Sequence, residues 1–268
     1  MRKGLKAYKA GDYTNAVEHL EKTVPEFPDI GNYNLGNAQY RAGDYEAAAE
    51  AFNEALRTPD LELQFKAYFN RGNALLARTT ALTKTEEISL AIELAFQAMD
   101  MFEKAILLQP DHRAAKQNFE RAQNLRAKLE YNLGRWYFDQ AEELLPQYKA
   151  KDARQNYRLA KKQFEHILEN VDPNHAEAAQ YLPKIAERLE MLALAVEAAQ
   201  IDLDLALKYI SDYQYLLAAQ RLTTESDERK YAFDIQPELK KKYEETIQKN
   251  QEVLKIIEDL FPTMNMAQ

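Results

Sequence analysis

The phrase Tyr33-Asn34-Leu35-Gly36-Asn37 returns as Phe69-Asn70-Arg71-Gly72-Asn73 and as Tyr131-Asn132-Leu133-Gly134-Arg135. It sets side-chain amides at matching positions, Asn34, Asn70 and Asn132 in one and Asn37 and Asn73 in another. An Asn amide offers two donors and one acceptor oxygen. A row of them can pair with both the N–H and the C=O of an extended peptide. That is binding chemistry, with no bond made or broken.

No catalytic constellation accompanies the row. The four His are His19, His112, His166 and His175. His166 has Lys162 one turn back and Asn170 one turn on, so no zinc-binding helix signature forms. His112 and His175 follow Pro110 and Pro173 and read as helix-start residues. There is no Walker A loop and no GxGxxG. The absence of Cys removes thiolate metal sites, disulfides and cysteine nucleophiles. The acidic pairs Glu86-Glu87 and Glu142-Glu143 are expected on solvated faces. The chain is therefore expected not to be an enzyme and to need no cofactor or metal.

The elements that hold the amides must be helices. Of 268 residues only 7 are Gly and 9 Pro, while Ala, Leu, Glu, Lys and Gln fill long stretches. Hydrophobic residues make up 46%, enough for a sizeable core. The net charge of −8 argues against general nucleic-acid binding, which needs a basic footprint. No run of 18 apolar residues predicts a transmembrane helix.

The phrase is one part of a longer repeat. Leu35 and Gly36 are followed by Tyr40, Gly43-Asp44-Tyr45, then Ala48, Phe52 and Ala55. Gly36 and Ala48 lack bulk where two antiparallel helices approach, and Leu35 and Phe52 fill the space beside them. Steps of four and three keep Ala48, Phe52 and Ala55 on one helical face. Gly43 suits a left-handed helix end, and Asp44 suits a cap. Gly4, Gly11-Asp12-Tyr13, Ala16, Leu20 and Pro28 repeat the pattern. So do Gly72, Ala98, Phe102, Ala105 and Pro110, and Gly134, Ala160 and Phe164. From Gly36 to Ala48 is 12 residues, but Gly72 to Ala98 and Gly134 to Ala160 are each 26. The excess of 14 predicts two lengthened hairpins, about two turns more on each helix. Thr83-Lys84-Thr85-Glu86-Glu87 reads as a helix start within the first. The helix carrying Gly134 is expected to begin far upstream, near His112.

This pattern resembles the tetratricopeptide repeat (TPR). The resemblance implies an all-α, right-handed superhelix of antiparallel helix pairs. Residues 1–110 would hold repeats 1–3, the third extended, and 111–173 an extended fourth hairpin. Residues 174–268 would form a C-terminal helical cap or docking element. There Leu189, Leu192, Val196, Ala199, Leu203, Leu207 and Ile210 form one stripe. Met191, Leu194, Ala198, Ile201 and Leu205 form a second, which predicts a helix covered on more than one side. A polar break, TTESDERK, follows Leu222, and a last helix carries Leu239, Tyr243, Ile247, Leu254, Ile257 and Phe261 on one face. Among Trp136, Tyr137 and Phe138 at least one must leave the shared core face.

In the family the first helix of each pair lines a concave groove. The resemblance then assigns partner contact to Tyr33, Asn34, Asn37, Tyr40, Arg41, Lys66, Phe69, Asn70 and Asn73, with Met1, Arg2, Leu5, Tyr8 and Lys9 from the first repeat. These positions include Arg2, Lys9, Arg41 and Lys66 and no Asp or Glu, so an acidic ligand is expected. In several TPR proteins Asn at these positions forms a ladder along a bound peptide. Met1, Leu5 and Asn70 depart from the carboxylate clamp of chaperone-binding members, so a chaperone tail is not the expected ligand.

YNLGNAQYRAGDYEAAAEAF, FNRGNALL and ILLQPDHRAAKQNFERA also resemble TPR proteins of bacterial aerotolerance-type operons, over roughly residues 1–125. These are cell-envelope proteins encoded beside von Willebrand A-domain proteins. The first helix of repeat 1 would begin about four residues before Met1, so a preceding signal or anchor segment is expected. That favours the cell envelope or periplasm over the cytoplasm. The expected function is a protein-binding scaffold or adaptor. The alternative is a structural subunit that forms a homo-oligomer through its long and C-terminal helices.

Overall fold

The computed structural model describes residues 1–82 and 87–260. Among the described residues every regular element is helical, as the composition predicts. The chain forms two compact units, residues 1–132 with 170–173, and residues 133–169 with 174–268.

The first unit is a stack of helix pairs. It runs α1 (Arg2–Lys9), α2 (Tyr13–Glu21), α3 (Pro28–Ala42), α4 (Tyr45–Ala55), α5 (Leu61–Ala81) and α6 (Ile88–Leu108), and closes on the first part of α7 (Arg113–Leu144). Each helix packs on the next through α6. The predicted turn is present: Gly43 has φ +88°, and the Asp44 carboxylate accepts the Ala47 N–H at 3.1 Å. A left-handed residue costs a side chain strain that Gly avoids. Within the pairs, a Cβ at Gly36 would lie 2.8 Å from the Phe52 ring and one at Gly72 2.6 Å from the Phe102 ring. Glycine therefore makes room for the aromatic. Ala48, Phe52 and Ala55 are fully buried, as are Ala98, Phe102 and Ala105.

The third pair is longer, as the spacing predicts. Helices α5 and α6 have 21 residues each, against 15 and 11 in α3 and α4. Residues 83–86 of the predicted helix start lie outside the described residues, and Glu87 stands directly before α6. The core of this unit joins Phe52, Leu75, Leu94, Met101 and Phe102 to Ala122, Phe119 and Leu125 of α7.

Arg71 takes the place that Leu35 and Leu133 fill in the other copies of the phrase. Both leucines are buried. Arg71 is half-buried, and one guanidinium nitrogen meets the Met101 sulfur at 3.4 Å. Its Nε is buried with no hydrogen-bond partner. Burial pulls its pKa down against the opposing charge of Asp100. A buried donor left unpaired costs about 1–3 kcal/mol. Arg71→Leu is therefore expected to raise stability by about 1 kcal/mol in urea unfolding. A loss would show that the attraction of Asp100 outweighs the burial.

The second unit holds the rest of α7, a 3-10 turn at Leu145–Gln147, α8 (Ala150–His166), α9 (Ala176–Ser211), α10 (Tyr215–Thr223), α11 (Asp227–Ile235) and α12 (Pro237–Leu260). The glycine–aromatic contact recurs: a Cβ at Gly134 would lie 2.8 Å from the Phe164 ring. The Trp136-Tyr137-Phe138 run divides as helix geometry requires. Phe138 packs edge-on against Tyr157 and Tyr181, at 5.7 and 5.1 Å, while Trp136 is 44% exposed. Helices α10, α11 and α12 bury Leu222, Ala232, Leu239 and Tyr243 against Ala199, Leu203 and Ala206 of α9.

Three expectations are corrected in this unit. Glu142 is half-exposed and bonded to neighbouring helices rather than free on a solvated face. It accepts from the Tyr157 hydroxyl at 2.5 Å and from Arg188 Nε at 2.8 Å. Burial pushes the Glu142 carboxyl up, but the Arg188 and Tyr157 hydrogen bonds and the Arg188 charge outweigh it and hold the carboxyl below its usual range. Its neighbour Glu143 is exposed.

The polar break is also shorter than TTESDERK. Only residues 224–226 interrupt the helices, and the Ser226 hydroxyl caps α11 by accepting the Arg229 N–H at 3.1 Å. Arg229 is only 8% exposed. Its guanidinium donates to the carbonyls of Leu222 and Arg221, each at 3.0 Å, and to that of Thr224. It also pairs with Asp202 at 2.9 Å. It thus satisfies carbonyls that the end of α10 leaves open.

Third, α9 is covered along only one of its two apolar stripes. Leu192, Ala199 and Leu203 are buried, but Leu194 and Ile201 of the second stripe are 54% and 57% exposed. The predicted last-helix face is present at Leu239, Tyr243 and Ile247. Phe261 lies outside the described residues.

Candidate functional site

The candidate site is the face of the first unit made by α3, α5 and the start of α7. On α3, Leu35, Gly36 and Ala38 are buried. Tyr33, Asn34, Asn37 and Tyr40 on the same turns remain half-exposed. Asn70 and Asn73 take the same place on α5.

The amides run from helix to helix. The Asn70 amide donates to Asn37 Oδ1 at 2.9 Å and to the Tyr33 hydroxyl at 3.3 Å. The Asn118 amide donates to Asn73 Oδ1 at 2.7 Å. No further hydrogen bond of the Asn37 or Asn73 amide nitrogens or of the Asn70 oxygen is found among the described residues. Beside the second pair lies a recess of about 140 Å³ lined by Tyr40, Asn73, Leu76, Ala77, Asn118 and Arg121.

The other predicted residues are placed as follows. Tyr33 rests 5.9 Å from the Phe52 ring, and Tyr40 5.4 Å from Tyr45. Arg41 is exposed and donates to the Tyr13 hydroxyl at 3.0 Å, with its guanidinium 5.4 Å from that ring. Lys66 pairs with Glu62 at 3.1 Å, an exposed pair of small energy. Phe69 turns inward, 6.0 Å from Phe102 and 5.1 Å from His112. The structure thus brings Tyr33, Asn37 and Asn70 together, and sets Asn73 beside Asn118 and Tyr40. It holds Arg41 and Lys66 at their own local partners and packs Phe69 between helices.

Asn118 and Arg121 were not among the predicted residues. Their signal was present: Asn118 lies 14 residues before Asn132 on one helix, nearly four turns, and so on nearly the same face. Asn118 is the α7 residue that reaches Asn73, while Asn132 is exposed. His112 and His175 do begin helices. Each ring Nδ1 accepts a backbone N–H, from Ala115 at 3.1 Å and from Ala178 at 3.3 Å. Among the described residues no cluster of His and carboxylates could hold a metal ion. Nor is any helix there long and apolar enough to cross a membrane.

The family model for the tetratricopeptide repeat matches the chain over residues 1–61 and again over 33–99. A comparison with curated proteins finds no match. Such repeats generally mediate contacts between proteins and are typically not catalytic. The matched residues span α1 to α6, with their Gly-Asp turns and glycine–aromatic contacts. Residues 1–99 therefore form a tetratricopeptide-repeat array.

Proposed function

We propose that this protein is a non-catalytic scaffold that holds an extended peptide of a partner protein along the α3–α5–α7 face. The amide row carries the reading. Asn70 pairs with Asn37 and Asn118 with Asn73 by hydrogen bonds, yet polar atoms of Asn37, Asn70 and Asn73 remain for a ligand's main chain. Amides fixed before binding lose less rotational freedom when the peptide arrives. Selectivity for acidic side chains comes from Arg2, Lys9 and Arg121, which are exposed and form no ion pair among the described residues. The cell-envelope setting rests on the resemblance of residues 1–125 to aerotolerance-type TPR proteins.

The test uses peptides selected on the full chain from a random display library and then measured by calorimetry. Asn34→Ala combined with Asn70→Ala is expected to weaken them at least tenfold, about 1.4 kcal/mol, with the helical circular dichroism unchanged. Added salt is expected to weaken acidic peptides further. Equal affinity for the wild type and the double variant would remove the ladder from the proposal.

A further inference from the structure

The uncovered stripe on α9 has the geometry of a docking seam. Met191, Leu194, Ala198, Ile201 and Leu205 follow one another at steps of three, four, three and four residues. That spacing is the apolar seam of a two-helix coiled coil. Leu194 and Ile201 stand 54% and 57% exposed at its centre. The opposite side of α9, at Leu192, Ala199 and Leu203, is buried, so the helix is fixed and its seam faces solvent. A shallow groove of about 400 Å³ opens over Met191, Leu194 and Ala198. Contiguous exposed apolar surface of this kind marks an interaction site more often than scattered apolar residues do.

Charge along the seam selects the occupant. Glu190, Glu197 and Asp204 each stand one residue before a seam position and repeat every seven residues, which sets an acidic row along one edge. Glu187 and Glu228 add acid at the groove. Glu187, Glu190, Glu197 and Glu228 form no ion pair among the described residues, and no base lines the groove. An antiparallel second copy would set this row against itself. A parallel copy would set it against Ala195 and Asp202, and Asp202 already binds Arg221 and Arg229. Residues 261–268 contain no Lys or Arg. The row therefore asks for positive charge that the same face of a second copy and residues 261–268 do not bring.

We propose that the Met191–Leu205 face docks an amphipathic helix of a different protein, one with an apolar seam flanked by Lys or Arg. This surface lies in the second unit and does not depend on the peptide face of the first. Charge at the positions flanking the seam is what sets partner choice in paired helices.

The test measures two synthetic 21-residue amphipathic helices by fluorescence anisotropy against the full chain. Both carry Leu at the seam positions; one has Lys at the flanking positions and the other Glu. The wild type is expected to bind the Lys peptide at least tenfold more tightly than the Glu peptide. Glu190→Lys with Glu197→Lys should reverse that preference, and Leu194→Ser with Ile201→Ser should abolish binding of both. These side chains are exposed, and unchanged circular dichroism checks that each variant folds. A Lys-peptide affinity that survives Leu194→Ser with Ile201→Ser would mean attraction to net charge only and overturns the proposal. So does a wild-type dimer, seen by sedimentation, that the same pair of substitutions makes monomeric, because a second copy would then be the occupant.

Discussion

Phe102→Ala is expected to cost the array about 3–5 kcal/mol, the range for emptying a large aromatic site in a packed core. The ring is fully buried and lies where a Gly72 Cβ would stand, 2.6 Å from its Cε1. It also packs 6.0 Å from Phe69. Gly72→Ala alone should destabilise, because overpacking costs about 1–3 kcal/mol and the better helix propensity of Ala returns only about 1 kcal/mol. In the Phe102→Ala background the obstruction is gone. Gly72→Ala should then stabilise by about 1 kcal/mol. A double-mutant cycle in urea reads the reversal of sign. Additive effects would mean that the two residues do not share the space.

Arg229→Met is expected to cost the second unit about 2–4 kcal/mol. A Met can replace the stem, but not the donors to the Leu222, Arg221 and Thr224 carbonyls. Asp202 would keep Arg221 at 3.3 Å and lose its more buried partner at 2.9 Å. The guanidinium also lies 5.0 Å from the Tyr243 ring centre, a contact that Met cannot reproduce as a cation. Arg229→Lys keeps the charge but has three donors on one point instead of a planar fork, so it should recover only part of the loss. Urea unfolding of the three proteins measures the series. Full recovery by Lys would show that charge alone matters.

What was legible in the sequence was local or periodic. Gly43-Asp44 could be read as a turn because a left-handed residue and a cap are chemical demands on adjacent positions. Ala48, Phe52 and Ala55 could be read as core because their spacing alone puts them on one face. The 14-residue excess could be read as longer hairpins because the flanking signatures persist. What escaped depends on which surfaces meet. Asn118 and Asn132 share nearly the same face of α7, and only packing against α5 decides which one reaches Asn73. Arg229 stands in a charged run, and its burial follows from the carbonyls gathered at the end of α10. The second stripe of α9 showed its apolar period plainly, but a period does not say whether anything covers it.

The peptide face is tested most directly by hydrogen–deuterium exchange of the full chain with and without a library-selected peptide. New protection should fall on α3, α5 and residues 113–125 of α7, and it should vanish when Asn34 and Asn70 are both Ala. Protection confined to residues 176–235, or none at saturating peptide, would contradict a groove built from the first helices of the array.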